Sequence, residues 1–165
     1  MIKNDAIKVF FIIFSACILR VFFDFINDIE IHYEEAQYWV WSQNPSLSYL
    51  TKGPFIAQAI ALSEWIFGQS YLGLKFLSFV SFGGTAVIIG ACSYLISKEK
   101  TAFYLGDLFT LSSPAIFALG GIASTDIYLF LFWSVCLLGY VKFLETKDEK
   151  WFYLIAIGIG FGALT

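Results

Sequence analysis

Long apolar runs separated by short polar stretches dominate the hydropathy pattern of the chain. A transmembrane helix requires roughly 20 apolar residues in succession. The pattern therefore predicts an all-α, polytopic membrane helical bundle with about five transmembrane helices. The predicted spans cover approximately residues 7–26, 71–96, 102–120, 125–143 and 151–165, and Asp107 interrupts the third of them.

The more polar segment from about residue 27 to 70 is predicted to be a loop that carries two short helices. The first helix covers roughly residues 33–43 and is rich in tyrosine and tryptophan. The second covers roughly residues 54–67 and begins at Pro54, since proline suits the first turn of a helix. Its apolar stretch is only about 13 residues long and contains Glu64, so it suits a helix lying along the membrane interface rather than a span.

The distribution of lysines supports this placement of the second short helix. If the helix lies flat, most lysines fall on the same side of the membrane as the N-terminus; if it crosses, five of them move to the other side. Inner loops of membrane proteins carry the excess of Lys and Arg. The chain is therefore predicted to start inside, with the loop at 27–70 outside. The lysines that then share the inner side are Lys3, Lys8, Lys98, Lys100, Lys142, Lys147 and Lys150.

The composition excludes several classes of protein. Only 14% of the residues are charged and the mean hydropathy is +0.75, whereas a soluble domain carries about a quarter charged residues; this excludes a soluble globular domain and a disordered chain. A net charge of −3 argues against a nucleic-acid binder. The three cysteines lie in apolar runs, which favours small buried side chains over disulfides or metal ligands. They are Cys17, Cys92 and Cys136.

The two ends of the chain have different characters. The first apolar run is long for a signal peptide and has no small-residue cleavage site, so it is interpreted as a retained transmembrane helix. The last run is still apolar at Leu164 and has no polar flank. We therefore expect the 165 residues to be the N-terminal part of a longer membrane protein.

Acidic residues crowd into the predicted outer loop, where Glu34 and Glu35 begin the first short helix. A loop that needs charges to be solvated explains them without any function. The alternative explanation is a site at the boundary of water and lipid, because a carboxylate beside hydrocarbon becomes a better base. Adjacent residues of a helix point about 100° apart, so the two cannot flank one bond as a glycosidase pair does. One can do chemistry while the other binds a metal or caps the helix.

Two other charged residues near the predicted outer side, Lys52 and Asp126, each allow a functional and a purely structural interpretation. Lys52 precedes a helix start and suits an anion such as phosphate, or it extends to the membrane surface with no ligand. Asp126 opens the fourth predicted span and is a candidate site residue, or it only favours the helix dipole. Arg20 and Asp24 are four residues apart and are predicted to pair with each other, and Asp107 has no predictable partner.

Taken in order, several short motifs resemble the superfamily of dolichyl-phosphate-mannose protein mannosyltransferases and lipid A aminoarabinose transferases, which are GT-C type glycosyltransferases. The resemblance covers about residues 20–165, as the N-terminal portion of such an enzyme. It implies helices lying along the membrane, packed on a helical bundle. The motifs are the acidic and aromatic stretch at 33–43, the Lys-Gly-Pro stretch at 48–57, Phe-Gly-Gln-Ser at 67–70, Ser-Pro at 113–114 and Thr-Asp at 125–126.

The resemblance also implies roles for individual residues. Glu34 and Glu35 match the catalytic acidic pair, with Glu34 as the base. Lys52 matches a lysine that holds the donor phosphate, and Asp126 matches an acid that orders the site or a cation; Tyr38, in the same outer motif, is expected to bind substrate. Glu34 replaces the usual Asp, and Gly53 replaces the first residue of a Pro-Pro pair. Thr51 stands where one branch has an acid near its metal, so the use of a divalent metal ion is left open.

The function implied by the resemblance is transfer of a sugar, with inversion, from a polyprenyl-phosphate donor to an acceptor on the outer face of the membrane. The expected location is a bacterial inner membrane, as a multi-pass protein whose site faces the periplasm or the exterior. The expected partners are the donor lipid and the bilayer; protein, lipid A and glycan all remain open as acceptors. The alternative is a polytopic membrane protein without catalysis that binds a polyprenyl lipid or serves as an assembly partner.

Overall fold

The computed structural model describes residues 3–27 and 31–165, with side chains from residue 7 onward. Over these residues the chain is helical, with eight helices and no strand. This agrees with the predicted all-α fold. The helices are α1 (Lys3–Ile26), α2 (Tyr33–Ser42), α3 (Phe55–Phe67), α4 (Tyr71–Ser97), α5 (Lys100–Ser112), α6 (Pro114–Gly120), α7 (Thr125–Thr146) and α8 (Trp151–Gly162).

Three of the described helices are long and apolar enough to cross a membrane. They contain the segments Ile7–Ile26, Tyr71–Ser97 and Thr125–Thr146, of 20, 27 and 22 residues. At 1.5 Å per residue, even the shortest extends about 30 Å, which equals the hydrocarbon thickness of a typical bilayer. The chain is therefore a multi-pass helical membrane bundle, and the predicted first, second and fourth spans coincide with these helices.

The third predicted span differs from the observed helices. α5 and α6 together replace the span at 102–120 and meet at an angle of 66°. Pro114 cannot donate a backbone hydrogen bond, and Ser113 before it is extended, with φ −60° and ψ 123°. α8 begins at Trp151, where the fifth predicted span begins, and covers 12 residues to Gly162. The described part of the chain thus has three spans, or four if the bent pair is counted as one.

The two short helices α2 and α3 form where the sequence predicts them, and Glu64 joins them. The Glu64 carboxylate accepts hydrogen bonds from Trp39 Nε1 at 2.6 Å and Gln43 Nε2 at 2.9 Å. The hydroxyl of Ser42 lies 3.2 Å from the same carboxylate. The charge that made α3 ambiguous in sequence therefore holds the end of α2 against α3.

α4 lies at the centre of the bundle and packs against α3, α5 and α7, while α8 packs against α7. At one end of the bundle, Lys98 and Glu145 form an ion pair that joins the ends of α4 and α7. α2, α3 and the loop at 121–124 gather at the other end, which we call the site end. A buried apolar cluster lies beneath it and includes Tyr38, Ile56, Ile60, Phe82, Ile127 and Tyr128.

Candidate functional site

The N-terminus of α2 is fixed by a reciprocal cap between His32 and the two glutamates. The backbone N–H of His32 donates to Glu35 Oε2 at 3.0 Å, and the backbone N–H of Glu34 donates to His32 Nδ1 at 3.4 Å. Such a cap satisfies N–H groups that a helix start leaves free. It also turns the Glu35 side chain back towards the protein, while Glu34 points about 100° away on the helix.

Glu35 is 1% exposed and engaged entirely by the protein. Its Oε1 accepts a hydrogen bond from the backbone N–H of Ala123 at 2.7 Å and lies 3.4 Å from Lys75 Nζ. A carboxylate loses several kcal/mol of hydration on burial unless charge and hydrogen bonds replace it. Glu35 therefore links α2 to α4 and to the loop before α7.

Glu35 belongs to a buried charge network made of Arg20, Asp24, Glu35 and Lys75, each no more than 4% exposed. Arg20 and Asp24 form the ion pair predicted from their spacing. Lys75 Nζ lies 3.9 Å from Asp24 Oδ2 and donates to the Gly121 carbonyl at 2.7 Å. With two positive and two negative side chains, the network is balanced, which is the condition for burying charges at this depth.

Backbone carbonyls of α6 complete the network at Arg20. Its Nε donates to the Phe117 carbonyl at 2.9 Å, and its second terminal nitrogen lies 3.2 Å from the Ala118 carbonyl. Tyr71 donates to Asp24 Oδ2 at 2.9 Å. The network therefore ties together α1, α2, α4, α6 and the loop before α7 at the site end.

Glu34 differs from Glu35 both in its burial and in the contacts of its carboxylate. It is half-buried, and its carboxylate has no hydrogen bond or ion pair to any residue that the structure describes. One turn further along α2, burial raises the pKa of the Tyr38 hydroxyl, and the negative charge of Glu34 raises it further. Lys52 and Thr125 oppose that rise in the pKa of Tyr38 by charge and hydrogen bonding. These effects place Glu34, Tyr38, Lys52 and Thr125 around one point, which we call the Tyr38 cluster.

The structure thus brings together three of the predicted site residues, Glu34, Tyr38 and Lys52, and separates two others from them. Glu35 is directed into the charge network. Asp126 is exposed on the first turn of α7, and no described side chain pairs with its carboxylate. Thr125, which precedes Asp126, acts on the Tyr38 hydroxyl, so the start of α7 borders the cluster.

The acids of the site end do not form a recognisable metal centre within the described part of the chain. No three His, Cys, Asp or Glu side chains there lie together as metal ligands. Glu35 is bound to Lys75 and two backbone N–H groups, while Glu34 and Asp126 stand apart. The divalent metal ion therefore stays a prediction.

Sequence reasoning missed Lys75 and the Ala123 amide. Lys75 had one available signal: a basic residue in the first turns of a membrane span is expected to have an acidic partner. The backbone amide of Ala123 had none. Asp107, for which no partner was predicted, is fully buried, and neither of its carboxylate oxygens has a hydrogen-bond partner among the described residues.

The chain is similar to known proteins over most of its length. Residues 51–165 match the family model of the dolichyl-phosphate-mannose-protein mannosyltransferases. The chain is 27% identical over 134 residues to the lipid A galacturonosyltransferase RgtD of Rhizobium johnstonii, covering 80% of this chain and 28% of that protein. It is 26% identical over 110 residues to the undecaprenyl phosphate-alpha-4-amino-4-deoxy-L-arabinose arabinosyl transferase of Yersinia pestis, covering 63% of this chain and 20% of that protein.

No solved structure matches the chain. The chain spans between a fifth and a third of the length of these relatives. The family match includes Lys52, Lys75 and Asp126 and begins after the acidic pair at 34–35. Because the match covers well over half of the sequence and agrees with the helical membrane fold, the chain belongs to the dolichyl-phosphate-mannose-protein mannosyltransferase family.

Proposed function

We propose that this chain forms the donor-facing part of a membrane glycosyltransferase that moves a sugar from a polyprenyl phosphate to an acceptor, with inversion. The observation that carries the proposal is the Tyr38 cluster. A carboxylate that has no partner among the described residues (Glu34) and an ammonium group (Lys52) both act on the hydroxyl of one tyrosine, at the end of a membrane bundle. Inverting transfer from a lipid phosphate requires a base for the incoming hydroxyl and a cation for the departing phosphate.

In the proposed reaction, Glu34 is the catalytic base. Its carboxylate takes the proton of the acceptor hydroxyl while that oxygen attacks the anomeric carbon of the donor. The bond between the anomeric carbon and the phosphate oxygen breaks, and the electron pair leaves with the polyprenyl phosphate. Lys52 stabilises the charge on that phosphate. Because attack and departure occur on opposite faces of the sugar, the configuration at the anomeric carbon inverts.

Tyr38 and Asp126 are assigned supporting roles. Burial and the charge of Glu34 keep the pKa of Tyr38 above its ordinary value, so its hydroxyl stays protonated at neutral pH and can donate a hydrogen bond. Because both Glu34 and Lys52 act on this hydroxyl, it is placed to orient either substrate. Asp126 lies at the rim of the cluster on α7, where an acid faces the positive end of the helix dipole and can order the entering substrate.

The relatives suggest the substrates. One relative is named for transfer of galacturonic acid to lipid A, and another for transfer of aminoarabinose from undecaprenyl phosphate. We infer that this chain serves an undecaprenyl-phosphate-linked sugar and a lipid A-type acceptor. The site then faces the periplasm of a bacterial inner membrane, which agrees with the lysine-rich opposite end of the bundle.

The test is sugar transfer by the complete gene product, reconstituted in liposomes with undecaprenyl-phosphate aminoarabinose and lipid A. Glu34→Gln should lower kcat by about 100-fold or more, the loss expected for a general base, and leave donor binding intact. The matched control is Glu99→Gln, since Glu99 is exposed at the opposite end and its side chain caps no helix. Donor binding without transfer by the wild-type protein would favour the non-catalytic alternative, and full activity of Glu34→Gln would exclude Glu34 as the base.

A further inference from the structure

We propose that Lys75 is a positioning residue that fixes the distance between the two walls of the Tyr38 cluster. This inference rests on the proposed transferase function. One wall is the N-terminus of α2, which carries Glu34. The other wall is the segment from Gly121 into α7, which carries Thr125. The Lys75 ammonium group contacts both walls, at Glu35 and at the Gly121 carbonyl.

The contacts of Lys75 are few and directional. Its Nζ donates to the Gly121 carbonyl at 2.7 Å and lies 3.4 Å from Glu35 Oε1. The same Glu35 oxygen accepts the Ala123 N–H at 2.7 Å. Lys75, Glu35 and the 121–123 backbone therefore close a ring of contacts between α2, α4 and the start of α7. Lys75 is only 1% exposed, so protein groups surround its ammonium group in this ring.

The position of Glu34 depends on this ring because Glu35 follows it in the first turn of α2. Any shift of the anchored residue moves the backbone of its neighbour by a similar distance. A misplacement of about 1 Å at a reacting group can cost about 100-fold in rate. The donor-phosphate candidate, Lys52, lies outside the ring, so a loose ring should affect kcat more than donor KM.

The second wall is packed too closely to adjust on its own. A Cβ added to Gly121 would lie 2.1 Å from the Arg20 guanidinium carbon. Arg20 is itself held by α6 carbonyls and by Asp24. Arg20 therefore fixes the loop at 121–123 on one side. On the other side, Lys75 sets the distance between this loop and α2.

Charge balance and positioning can be separated by substitution. Lys75→Met leaves two acids facing one arginine in a buried site, which threatens folding whatever the role of Lys75. The double variant Lys75→Met/Glu35→Gln removes one charge of each sign and leaves the Arg20 and Asp24 pair. It restores the balance of the network but not the ring of contacts. Lys75→Arg keeps both the charge and the hydrogen-bonding capacity.

The experiment measures melting temperature, kcat and donor KM for these variants of the complete gene product, with undecaprenyl-phosphate aminoarabinose as donor. We expect the double variant to regain most of the melting temperature lost in Lys75→Met, to keep wild-type donor KM and to lose about 100-fold in kcat. Lys75→Arg should have a kcat closer to wild type than to the double variant. Lys98→Met is the matched control, since Lys98 lies at the opposite end of the bundle. A stable double variant with wild-type kcat would overturn the proposal.

A distance measurement separates failure of this inference from failure of the transferase function. Spin labels at Gln37→Cys on α2 and Leu129→Cys on α7, with the three native cysteines replaced by alanine, report the spacing of the two walls by electron paramagnetic resonance; both label sites are exposed. The double variant should broaden the distance distribution relative to wild type. An unchanged distribution overturns the positioning role of Lys75, even if the wild-type protein proves to have no transfer activity. A broadened distribution in an inactive wild-type protein supports the ring and refutes only the transferase function.

Discussion

The same substitution at the two adjacent glutamates of α2 should lower the stability strongly at Glu35 and hardly at all at Glu34. Glu35→Gln keeps the shape of the side chain and an oxygen that can accept the Ala123 N–H. It removes the negative charge that lies 3.4 Å from Lys75. Among the acids that the structure describes, Lys75 then faces Asp24 alone, at 3.9 Å, and that acid is already paired with Arg20. The buried network is left with one uncompensated positive charge.

The magnitude follows from the burial of these groups. Removing one partner of a buried ion pair costs about 3–5 kcal/mol of folding free energy. The hydrogen bonds that glutamine retains and the remaining contact with Asp24 place the expected loss near the lower end, at about 3 kcal/mol. For a protein of this size, that loss corresponds to a decrease in melting temperature of about 10 °C. Glu34→Gln should leave the stability within about 0.5 kcal/mol, the range of surface substitutions.

The assay is thermal unfolding of the purified protein in detergent, with Glu99→Gln as the matched control at the opposite end of the bundle. The pattern expected is a large decrease in melting temperature for Glu35→Gln alone. If Glu35→Gln has the same melting temperature as the Glu99→Gln control, the carboxylate of Glu35 is not held in a buried network. If Glu34→Gln is the destabilised variant instead, the assignment of the two side chains to the two environments is reversed.

Two further predictions concern helix packing and pH. Gly158→Ala should destabilise the protein by about 1–3 kcal/mol, the usual cost of overpacking, because the new Cβ would lie 2.4 Å from Cys136 Sγ. Gly160→Ala is the control and should leave the free energy of unfolding unchanged, because nothing lies within 4 Å of that Cβ. A raised pKa at Tyr38 means that its neutral form stabilises the fold, so this contribution is complete below the ordinary value of 10.0 and is lost as the pH rises through the higher folded value. Stability measured above pH 10 should therefore fall more steeply for the wild type than for Tyr38→Phe, and equal slopes would show that Tyr38 titrates normally.

Local sequence was sufficient for the helices and for contacts within one helix. Long apolar runs become α1, α4 and α7 because a helix satisfies every backbone group without help from water. Arg20 and Asp24 pair because residues four apart share a helix face. The same geometry predicts that two adjacent glutamates cannot flank one bond together. The structure directs Glu35 inwards and gives the Glu34 carboxylate no partner among the described residues.

One predicted element, the third span, differs from the structure. The break between α5 and α6 has a local cause in Pro114, and the apolar run around it concealed that signal. A contact between distant segments has no such local cause. Just beyond α8, the Leu164 carbonyl accepts a hydrogen bond from the Phe55 N–H at the start of α3, at 3.0 Å. That contact depends on the position of another helix.

The sequence by itself determined that this is a helical membrane bundle with an acidic, aromatic segment at one end. Only the tertiary structure decided which glutamate is buried. Glu35 is neutralised by Lys75 and hydrogen-bonded by an amide 88 residues further along the chain. A carboxylate can leave water only where other parts of the fold supply a positive charge and hydrogen-bond donors. Local sequence cannot specify those partners, because they come together only when the helices pack.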